Sequence, residues 1–200
     1  GEFAPEDAVV VHPYGRFCNA FKFAGETDVM EAMEHATRAY GADRGRRSIR
    51  GFSMGGGGTW HLAAHHPGLW RVAAPGAGFA ETADYTGVLG KEPALPAWEQ
   101  RLWRWYDATE YAANLRQVPV IAYSGEKDRQ KQAADMMEEA VAKEGLKLTH
   151  IIGPNTEHKF EPGAKLEVEK RIDALAARGR NPVPPQVKFT TFTLKYNRMF

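Results

Sequence analysis

Residues 51–55 (GFSMG) constrain the fold of this chain more than any other stretch of its 200 residues. They form a G-x-S-x-G pentapeptide, with a short apolar run before it and a helix-like segment after it. A serine hydroxyl is a weak nucleophile, so a protein that uses one must expose it and keep other side chains out of its way. A sharp turn from a strand into a helix does both, because flanking glycines lack the Cβ atoms that would collide with neighbouring strands. We therefore predict that Ser53 lies at the tip of a strand–turn–helix.

The start of the predicted helix adds a second feature to this turn. The first N–H groups of a helix have no partner within it, so they are free to donate hydrogen bonds to an oxyanion beside the serine. The sequence therefore predicts that the backbone N–H of Met54 binds such an oxyanion. Four glycines follow at residues 55–58. Each costs a helix about 1 kcal/mol, which indicates close packing of the helix on the sheet and an accessible backbone around the oxyanion.

A base for the serine and an acid to orient that base are both present further along the chain. One apolar run ends in a turn that contains Asp128, and a later apolar run is followed by a loop that contains His158. A base has to approach the serine from a different loop, and His158 meets this condition. We predict that His158 accepts the serine proton and that Asp128 holds the correct tautomer of its ring. Glu126 and Asp135 are the alternative acids.

The other histidines of the seven in this chain have simpler interpretations. Packing or surface roles are expected for three of them on or at the end of the helix after the serine: His61, His65 and His66. His35 lies in a predicted helix and His150 in a predicted strand. His12 ends the first apolar run near the predicted site, so it is a candidate contact for a substrate.

The chain order of serine, aspartate and histidine is that of the α/β-hydrolases, and this sequence resembles that superfamily. Residues 107–112 (DATEYA), which lead into residues 118–120 (VPV), further resemble the esterases and peptidases whose catalytic domain is similar to that of prolyl oligopeptidase. The resemblance covers roughly residues 8 to 178. It implies a carboxylesterase that forms an acyl-enzyme on the serine. The alternatives are a serine peptidase of the prolyl-oligopeptidase type and a non-catalytic, hydrolase-like fragment of a larger protein.

Apolar runs and helical patterns alternate along the chain, which predicts an α/β fold. We expect a reduced α/β-hydrolase fold, with a mostly parallel central sheet of about five or six strands and helices on both faces. The predicted strands cover residues 8–11, 48–52, 71–74, 118–124 and 147–152. The predicted helices cover residues 27–40, the segment from the serine turn to Pro67, and residues 97–106, 131–144 and 163–178.

Only one strand, at residues 8–11, is predicted before the serine turn, which is few for this fold. In one interpretation it is the strand whose following loop supplies the second oxyanion donor, and then the N–H of Tyr14 or Gly15 fills that role. In the other, which we favour, it matches the next strand of the family. The upstream strands are then missing or belong to a longer protein, and the oxyanion site is incomplete apart from Met54.

Residues 79–117 separate two core strands by more than a tight loop requires and are rich in aromatic residues. Most of these aromatics are expected to pack within the fold. The segment is too short for a lipase-type lid, so the expected substrates are small, short-chain esters rather than lipid aggregates.

The two ends of the chain differ from its middle. We assign residues 1–180 to the catalytic domain, with residues 1–3 interpreted as a cloning scar. Residues 181–200 contain a Pro-rich linker and a strand predicted at residues 187–196 (VKFTTFTLKY). Because an apolar strand needs a partner, we predict pairing at a sheet edge and a homodimer formed through this strand.

Composition excludes several other classes of protein. The net charge of +1 gives no argument for binding nucleic acid. There is no apolar run long enough to span a membrane and no signal-peptide character, so we expect a soluble protein and leave its compartment open. The single cysteine, Cys18, rules out an internal disulfide and is expected to be inert. Neither metal-ligand spacing nor a cofactor motif is present, so no metal or cofactor is expected.

Overall fold

Four parallel strands form the sheet on which the rest of the chain packs, in a computed structural model that describes residues 5, 7–88 and 95–196. They lie in the order β1-β2-β3-β4, which is also their order along the chain. Their bounds are Ser48–Phe52 (β1), Val72–Gly76 (β2), Ile121–Gly125 (β3) and Thr149–Gly153 (β4). The parallel α/β fold is confirmed, although the described residues contain four strands rather than five or six.

Helices connect and flank the strands. The α-helices are Ala24–Tyr40 (α1), Met54–His65 (α2), Thr82–Thr86 (α3), Ala97–Trp103 (α4), Lys131–Lys143 (α5) and Pro162–Ala177 (α6). Short 3-10 helices cover Arg44–Arg46, Pro67–Leu69, Ala108–Gln117 and Leu194–Tyr196. Within the described ranges, none of the helices has the length and apolar character needed to cross a membrane.

The sheet buries both of its faces, as parallel sheets do. Successive side chains of a strand point to opposite faces, so β2 and β3 each contribute to two apolar clusters. One cluster joins these strands to α6: Val72, Ala74, Ile121, Tyr123, Val168 and Ile172. The other joins them to α1, α2 and α5: Val29, Trp60, Leu62, Ala73, Ala122, Met137 and Val141. The carboxyl ends of the strands therefore form one exposed edge between two helical layers.

The glycines at the start of α2 allow that helix to approach the sheet closely. A Cβ on Gly56 would lie 2.2 Å from the carbonyl oxygen of Gly76 in β2, and a Cβ on Gly51 would lie 2.2 Å from the carbonyl oxygen of Gly55. Neither distance is compatible with a side chain. The close packing expected from the glycine run is therefore what the structure contains.

The strand predicted over residues 8–11 is wrong. These residues are irregular, and Val9 to Val11 remain 37–45% exposed. In the part of the chain that the structure describes, β1 is the end of the sheet and pairs only with β2. An apolar run forms a strand only where a neighbouring backbone accepts and donates its hydrogen bonds, and these valines have no such neighbour.

The strand predicted over residues 187–196 is also wrong. Residues 186–196, here called the C-terminal strap, have no regular secondary structure until a 3-10 helix at their end. They pack against other parts of the same chain. The side-chain amide of Asn114 imitates a strand edge: its Nδ2 donates to the Thr190 carbonyl over 3.0 Å, and its Oδ1 accepts from the Thr190 N–H over 2.7 Å. Intramolecular partners thus hold part of this segment, and the homodimer through it stays a prediction.

A buried carboxylate anchors the end of the C-terminal strap. Glu26 of α1 accepts hydrogen bonds from the Tyr196 hydroxyl over 2.8 Å, from His61 and His66 over 3.0 Å each, and from the Lys195 ammonium over 3.1 Å. Burial alone would raise the pKa of Glu26, but the hydrogen bonds from these partners outweigh it and hold that pKa well below its usual range. His61 and His66 therefore have the packing role expected of them.

Candidate active site

The turn at Ser53 places its side chain at the carboxyl edge of the sheet. Ser53 has φ 57° and ψ −117°, a conformation that residues other than glycine rarely adopt and that costs on the order of 1–3 kcal/mol. Its N–H donates to the Gly76 carbonyl over 2.8 Å, which ties the turn to the end of β2. The strand, turn and helix predicted around this residue are all present.

Three side chains from separate loops meet at this turn. His158 Nε2 lies 2.8 Å from Ser53 Oγ, and His158 Nδ1 lies 2.8 Å from Asp128 Oδ2. The Asp128 side chain is only 3% exposed, whereas that of His158 is 40% exposed. A carboxylate only accepts hydrogen bonds, so Nδ1 carries the ring proton and Nε2 accepts from the serine hydroxyl. The structure thus brings together the three residues that the sequence proposed.

The turn after β3 holds Asp128 in place. The Asp128 N–H donates to the Gly125 carbonyl over 3.1 Å, and the Gln130 N–H donates to Asp128 Oδ1 over 2.8 Å. One carboxylate oxygen is therefore held by backbone while the other faces the histidine. This arrangement leaves the carboxylate little freedom to turn away from His158.

Tyr123 braces the loop that carries the histidine. Its hydroxyl donates to the Lys159 carbonyl over 2.8 Å and accepts from the Glu161 N–H over 2.8 Å. Burial raises the pKa of Tyr123, against the opposing effect of the hydrogen bond from Glu161. Its ring also stacks on Phe160, with centroids 4.3 Å apart. Sequence analysis assigned Tyr123 only to a strand, because its contacts come from residues more than thirty positions away.

Aromatic rings line one side of the histidine. The Phe52 ring lies 4.9 Å from both the His158 ring and the Phe160 ring, measured between centroids. The loop also approaches β3 closely, since a Cβ on Gly125 would lie 2.2 Å from the Glu157 carbonyl oxygen. Packing as well as hydrogen bonding therefore sets the orientation of the imidazole.

The two alternative acids are engaged elsewhere. Glu126 accepts from the Asn155 N–H over 2.6 Å and so joins two loops. Asp135 accepts from the Lys131 ammonium over 2.7 Å on the surface of α5. Among the described contacts, His158 has Asp128 as its carboxylate partner.

Two of the remaining histidines contact groups other than this serine. His65 is fully buried, with its ring nitrogens near the carbonyls of His61 and Trp105. His150 contacts the Ser124 hydroxyl over 3.0 Å. His12 is exposed in an irregular segment, and its contact with a substrate stays a prediction.

The start of α2 offers one oxyanion donor. Met54 is the first residue of the helix, so its N–H has no acceptor within the helix. The loop before α1 lies against this turn, with Cys18 Sγ 3.3 Å from Met54 Sδ. Gly15 is no longer a candidate second donor, because its N–H donates to Asp28 over 2.8 Å. Tyr14 is 84% exposed, and its role as an oxyanion donor stays a prediction.

The segment between β2 and β3 covers part of the region beside α2. Phe79 packs on the glycine run, since a Cβ on Gly57 would come within 3.0 Å of its ring, and it stacks with Tyr85 at 4.5 Å. Trp98 and Trp105 are 59% and 40% exposed. Most aromatics of this segment were expected to be packed, and these two instead face solvent.

A polar pair that sequence analysis missed lies behind Phe79. Burial raises the pKa of Asp107 to about 6, against the hydrogen bonds from Thr82 and the charge of Lys22. The Thr82 hydroxyl donates to Asp107 over 2.5 Å. Burial likewise lowers the pKa of Lys22, and its ammonium lies 5.3 Å from the Phe79 ring centroid. No local motif signals this pair, because its members come from different loops.

A model of the prolyl oligopeptidase family matches residues 21–179, which is most of the chain. A comparison with curated protein sequences found no significant match.

Several solved structures are similar to this one. A puromycin-hydrolyzing peptidase of Mycobacterium tuberculosis has 19% identity and a TM-score of 0.62, over 80% of this chain and 26% of its own. An S-formylglutathione hydrolase of Agrobacterium tumefaciens has 22% identity and a TM-score of 0.59, over 77% of this chain and 57% of its own. An acylaminoacyl peptidase of Pyrococcus horikoshii has 17% identity and a TM-score of 0.59, over 80% of this chain and 28% of its own. This chain therefore shares their fold and spans about a quarter of the length of the two peptidases.

Proposed function

This chain belongs to the prolyl oligopeptidase family of serine hydrolases, and from that premise we propose that it is a carboxylesterase that hydrolyses small, short-chain esters. One observation carries the proposal: the Ser53 hydroxyl, the His158 ring and the Asp128 carboxylate form a continuous chain of 2.8 Å contacts. A nucleophile in contact with a base, which is in turn oriented by an acid, is the arrangement that acyl transfer requires.

The first half of the reaction forms an acyl-enzyme. Ser53 Oγ attacks the ester carbonyl carbon while its proton passes to His158 Nε2. The Asp128 carboxylate stabilises the imidazolium, and the Met54 N–H donates to the new oxyanion. As the tetrahedral intermediate collapses, the carbon–oxygen bond to the alcohol breaks and the leaving alkoxide takes the proton from His158.

Water completes the cycle. It gives a proton to His158 Nε2 as its oxygen attacks the acyl carbon, and a second oxyanion forms at the same donor. The bond to Ser53 Oγ then breaks, the serine regains its proton from His158, and a carboxylic acid leaves. The 40% exposure of the His158 side chain supports this step, because water reaches the base directly.

Small esters are favoured by the segment that follows β2. Its helices α3 and α4 have five and seven residues, too little to form a lid over a lipid-sized acyl chain. Efficient turnover of long-chain triglyceride emulsions would contradict this part of the proposal.

A peptidase with the same three residues is the second candidate. It is favoured by the family itself and by the likeness to a puromycin-hydrolyzing peptidase. Parallel assays of p-nitrophenyl butyrate and of an aminoacyl-proline p-nitroanilide separate the two. The esterase proposal expects a much larger kcat/KM for the ester.

A fluorophosphonate probe tests the nucleophile directly. Mass spectrometry should locate the adduct on Ser53, and p-nitrophenyl acetate, butyrate and laurate should be hydrolysed in decreasing order. Ser53→Ala should abolish labelling and turnover. Ser124→Ala is a matched control, since Ser124 also contacts a histidine but is only 1% exposed. A folded wild-type protein without label would instead favour the non-catalytic alternative.

A further inference from the structure

A cleft lined by arginines lies at the end of the sheet opposite the candidate active site. Arg71 immediately precedes β2, and Pro119 lies just before β3, whereas Ser53 follows the carboxyl end of β1. Each strand has five residues, so the two ends are separated by roughly 17 Å. The cleft is therefore a separate feature from the catalytic residues.

The cleft concentrates positive charge. It has a volume of about 410 Å³, and four of the residues that line it are arginines: Arg71, Arg116, Arg178 and Arg180. Among the described ion pairs, none joins Arg71, Arg116 or Arg178 to a carboxylate. Burial lowers the pKa of Arg71, and the charge of Arg178 lowers it further. Such mutual repulsion is relieved when an anion binds between the guanidinium groups.

Two of the guanidinium groups have buried donors that nothing in the described structure satisfies. The Nε atoms of Arg71 and Arg116 are both inaccessible to solvent and have no hydrogen-bond acceptor. Arg116 Nη2 donates to the Glu144 carbonyl over 2.9 Å, and Nη1 donates to Gln186 Oε1 over 3.4 Å. The two Nε atoms are too buried to reach a ligand in the cleft, but each Nη of Arg116 carries a second N–H. Arg116 is thus positioned by protein contacts and still has donors for a ligand.

Helix electrostatics accounts for two of these residues. Arg178 caps the carboxyl end of α6, where a positive charge is favourable without any ligand. Arg116 donates to the carbonyl of Glu144 at the carboxyl end of α5, so the same explanation covers it. Arg71 lies just before β2, and its place on the cleft needs a different explanation.

We propose that this cleft binds the phosphate group of a small phosphorylated molecule. Guanidinium forks donate pairs of hydrogen bonds to phosphate oxygens, and several of them around one cavity match a multiply charged phosphate better than a single carboxylate. The volume of the cleft is within the range of sites for small molecules and exceeds what a bare phosphate needs. This site is distinct from the proposed esterase site, and the test of one does not depend on the outcome for the other.

Isothermal titration with pyrophosphate, at a constant ionic strength near 0.15 M, tests the site. The wild-type protein should bind one pyrophosphate saturably and should melt at a higher temperature in its presence. Arg71→Gln and Arg178→Gln should each weaken binding at least tenfold. Arg178 is exposed, so its variant tests the site even if Arg71→Gln is unstable.

Arg38→Gln is the matched control, because it removes the same charge from an exposed position on α1. It should leave pyrophosphate binding unchanged, and all three variants should retain ester hydrolysis. The proposal is overturned if wild-type binding is not saturable or if Arg38→Gln weakens binding as much as the cleft variants. Binding of citrate as tight as that of pyrophosphate would likewise overturn the assignment to phosphate.

Discussion

Two sets of serine, histidine and aspartate lie close together in the part of the chain that the structure describes, and only one of them has the geometry of a triad. In the first set, His158 lies 2.8 Å from both Ser53 and Asp128. In the second, His150 Nε2 lies 3.0 Å from Ser124 Oγ, but its Nδ1 is 3.7 Å from the nearest Asp135 oxygen, beyond a normal hydrogen bond.

The two sets also differ in which member is buried. The Asp128 side chain is 3% exposed and that of His158 is 40% exposed, whereas the Asp135 side chain is 45% exposed and that of His150 only 8%. A buried acid with an accessible base suits proton transfer to a substrate. A buried base with a solvated acid does not.

The backbone around each serine explains the rest of the difference. Ser53 is at a strained turn before a helix, where an N–H is free for an oxyanion, whereas Ser124 lies within β3 and is 1% exposed. Residue type and proximity therefore do not define a catalytic triad. The position of the nucleophile relative to solvent and to unpaired backbone donors is what distinguishes the two sets.

The largest difference between the sets should appear when each histidine is replaced. His158→Gln removes the base, and turnover of p-nitrophenyl butyrate should fall by a factor on the order of 10⁶. His150→Gln should change kcat by less than threefold in the folded protein. Comparable losses in the two variants, with intact circular dichroism spectra, would mean that the assignment of the base is wrong.

Replacement of the acids should give a smaller separation. Asp128→Asn reverses the donor and acceptor needed at His158 Nδ1, so turnover should fall by a factor on the order of 10⁴ while fluorophosphonate labelling slows in parallel. Asp135→Asn should leave steady-state kinetics unchanged, because that side chain binds Lys131 at the surface.

Stability should respond in the opposite sense to activity. Ser124→Ala leaves the buried His150 Nε2 without its partner, and urea unfolding should show a loss of about 1–3 kcal/mol. Ser53→Ala removes a hydroxyl from a partly exposed position, so its free energy of unfolding should change by less than that. A larger loss in Ser53→Ala would contradict the structural role given to the second set.

The smallest effect should be a pH dependence of stability from His150. Burial lowers its pKa and Lys131 lowers it further, against the opposing carboxylates of Asp135 and Glu138. Because the folded-state pKa lies below the unfolded value of about 6.5, the stability that neutral His150 contributes is present above pH 6.5 and is lost as the pH falls.

Melting curves between pH 7.5 and 5.5 measure this contribution. In the wild type and in His150→Gln alike, the buried His61 and His65 with their lowered pKa values add to the decrease in stability on acidification, and Asp107 with its pKa raised to about 6 opposes it. The decrease should be smaller in His150→Gln. An equal decrease in melting temperature in the two proteins would show that His150 does not contribute to the pH dependence of stability.

Much of the candidate site could be predicted because its residues follow the ends of strands. Parallel strands bring their carboxyl ends to one edge of a sheet, so the loops with Ser53, Asp128 and His158 meet there whatever their separation along the chain. The second set could not be predicted. His150 approaches Ser124 through the register in which β3 pairs with β4, and Asp135 approaches His150 through the packing of α5 against the sheet.

The local sequence determined the turn at Ser53, the four central strands and the longer helices, because glycine spacing and apolar periodicity act over a few neighbouring residues. The tertiary structure decided that neither end of the chain forms the strand predicted for it. Residues 8–11 lack a neighbouring strand, and the C-terminal strap finds Asn114 and Glu26 in place of a sheet edge. It also decided which serine, histidine and aspartate come together with the geometry of a triad. Strand pairing and burial depend on distant parts of the chain, and no local pattern encodes them.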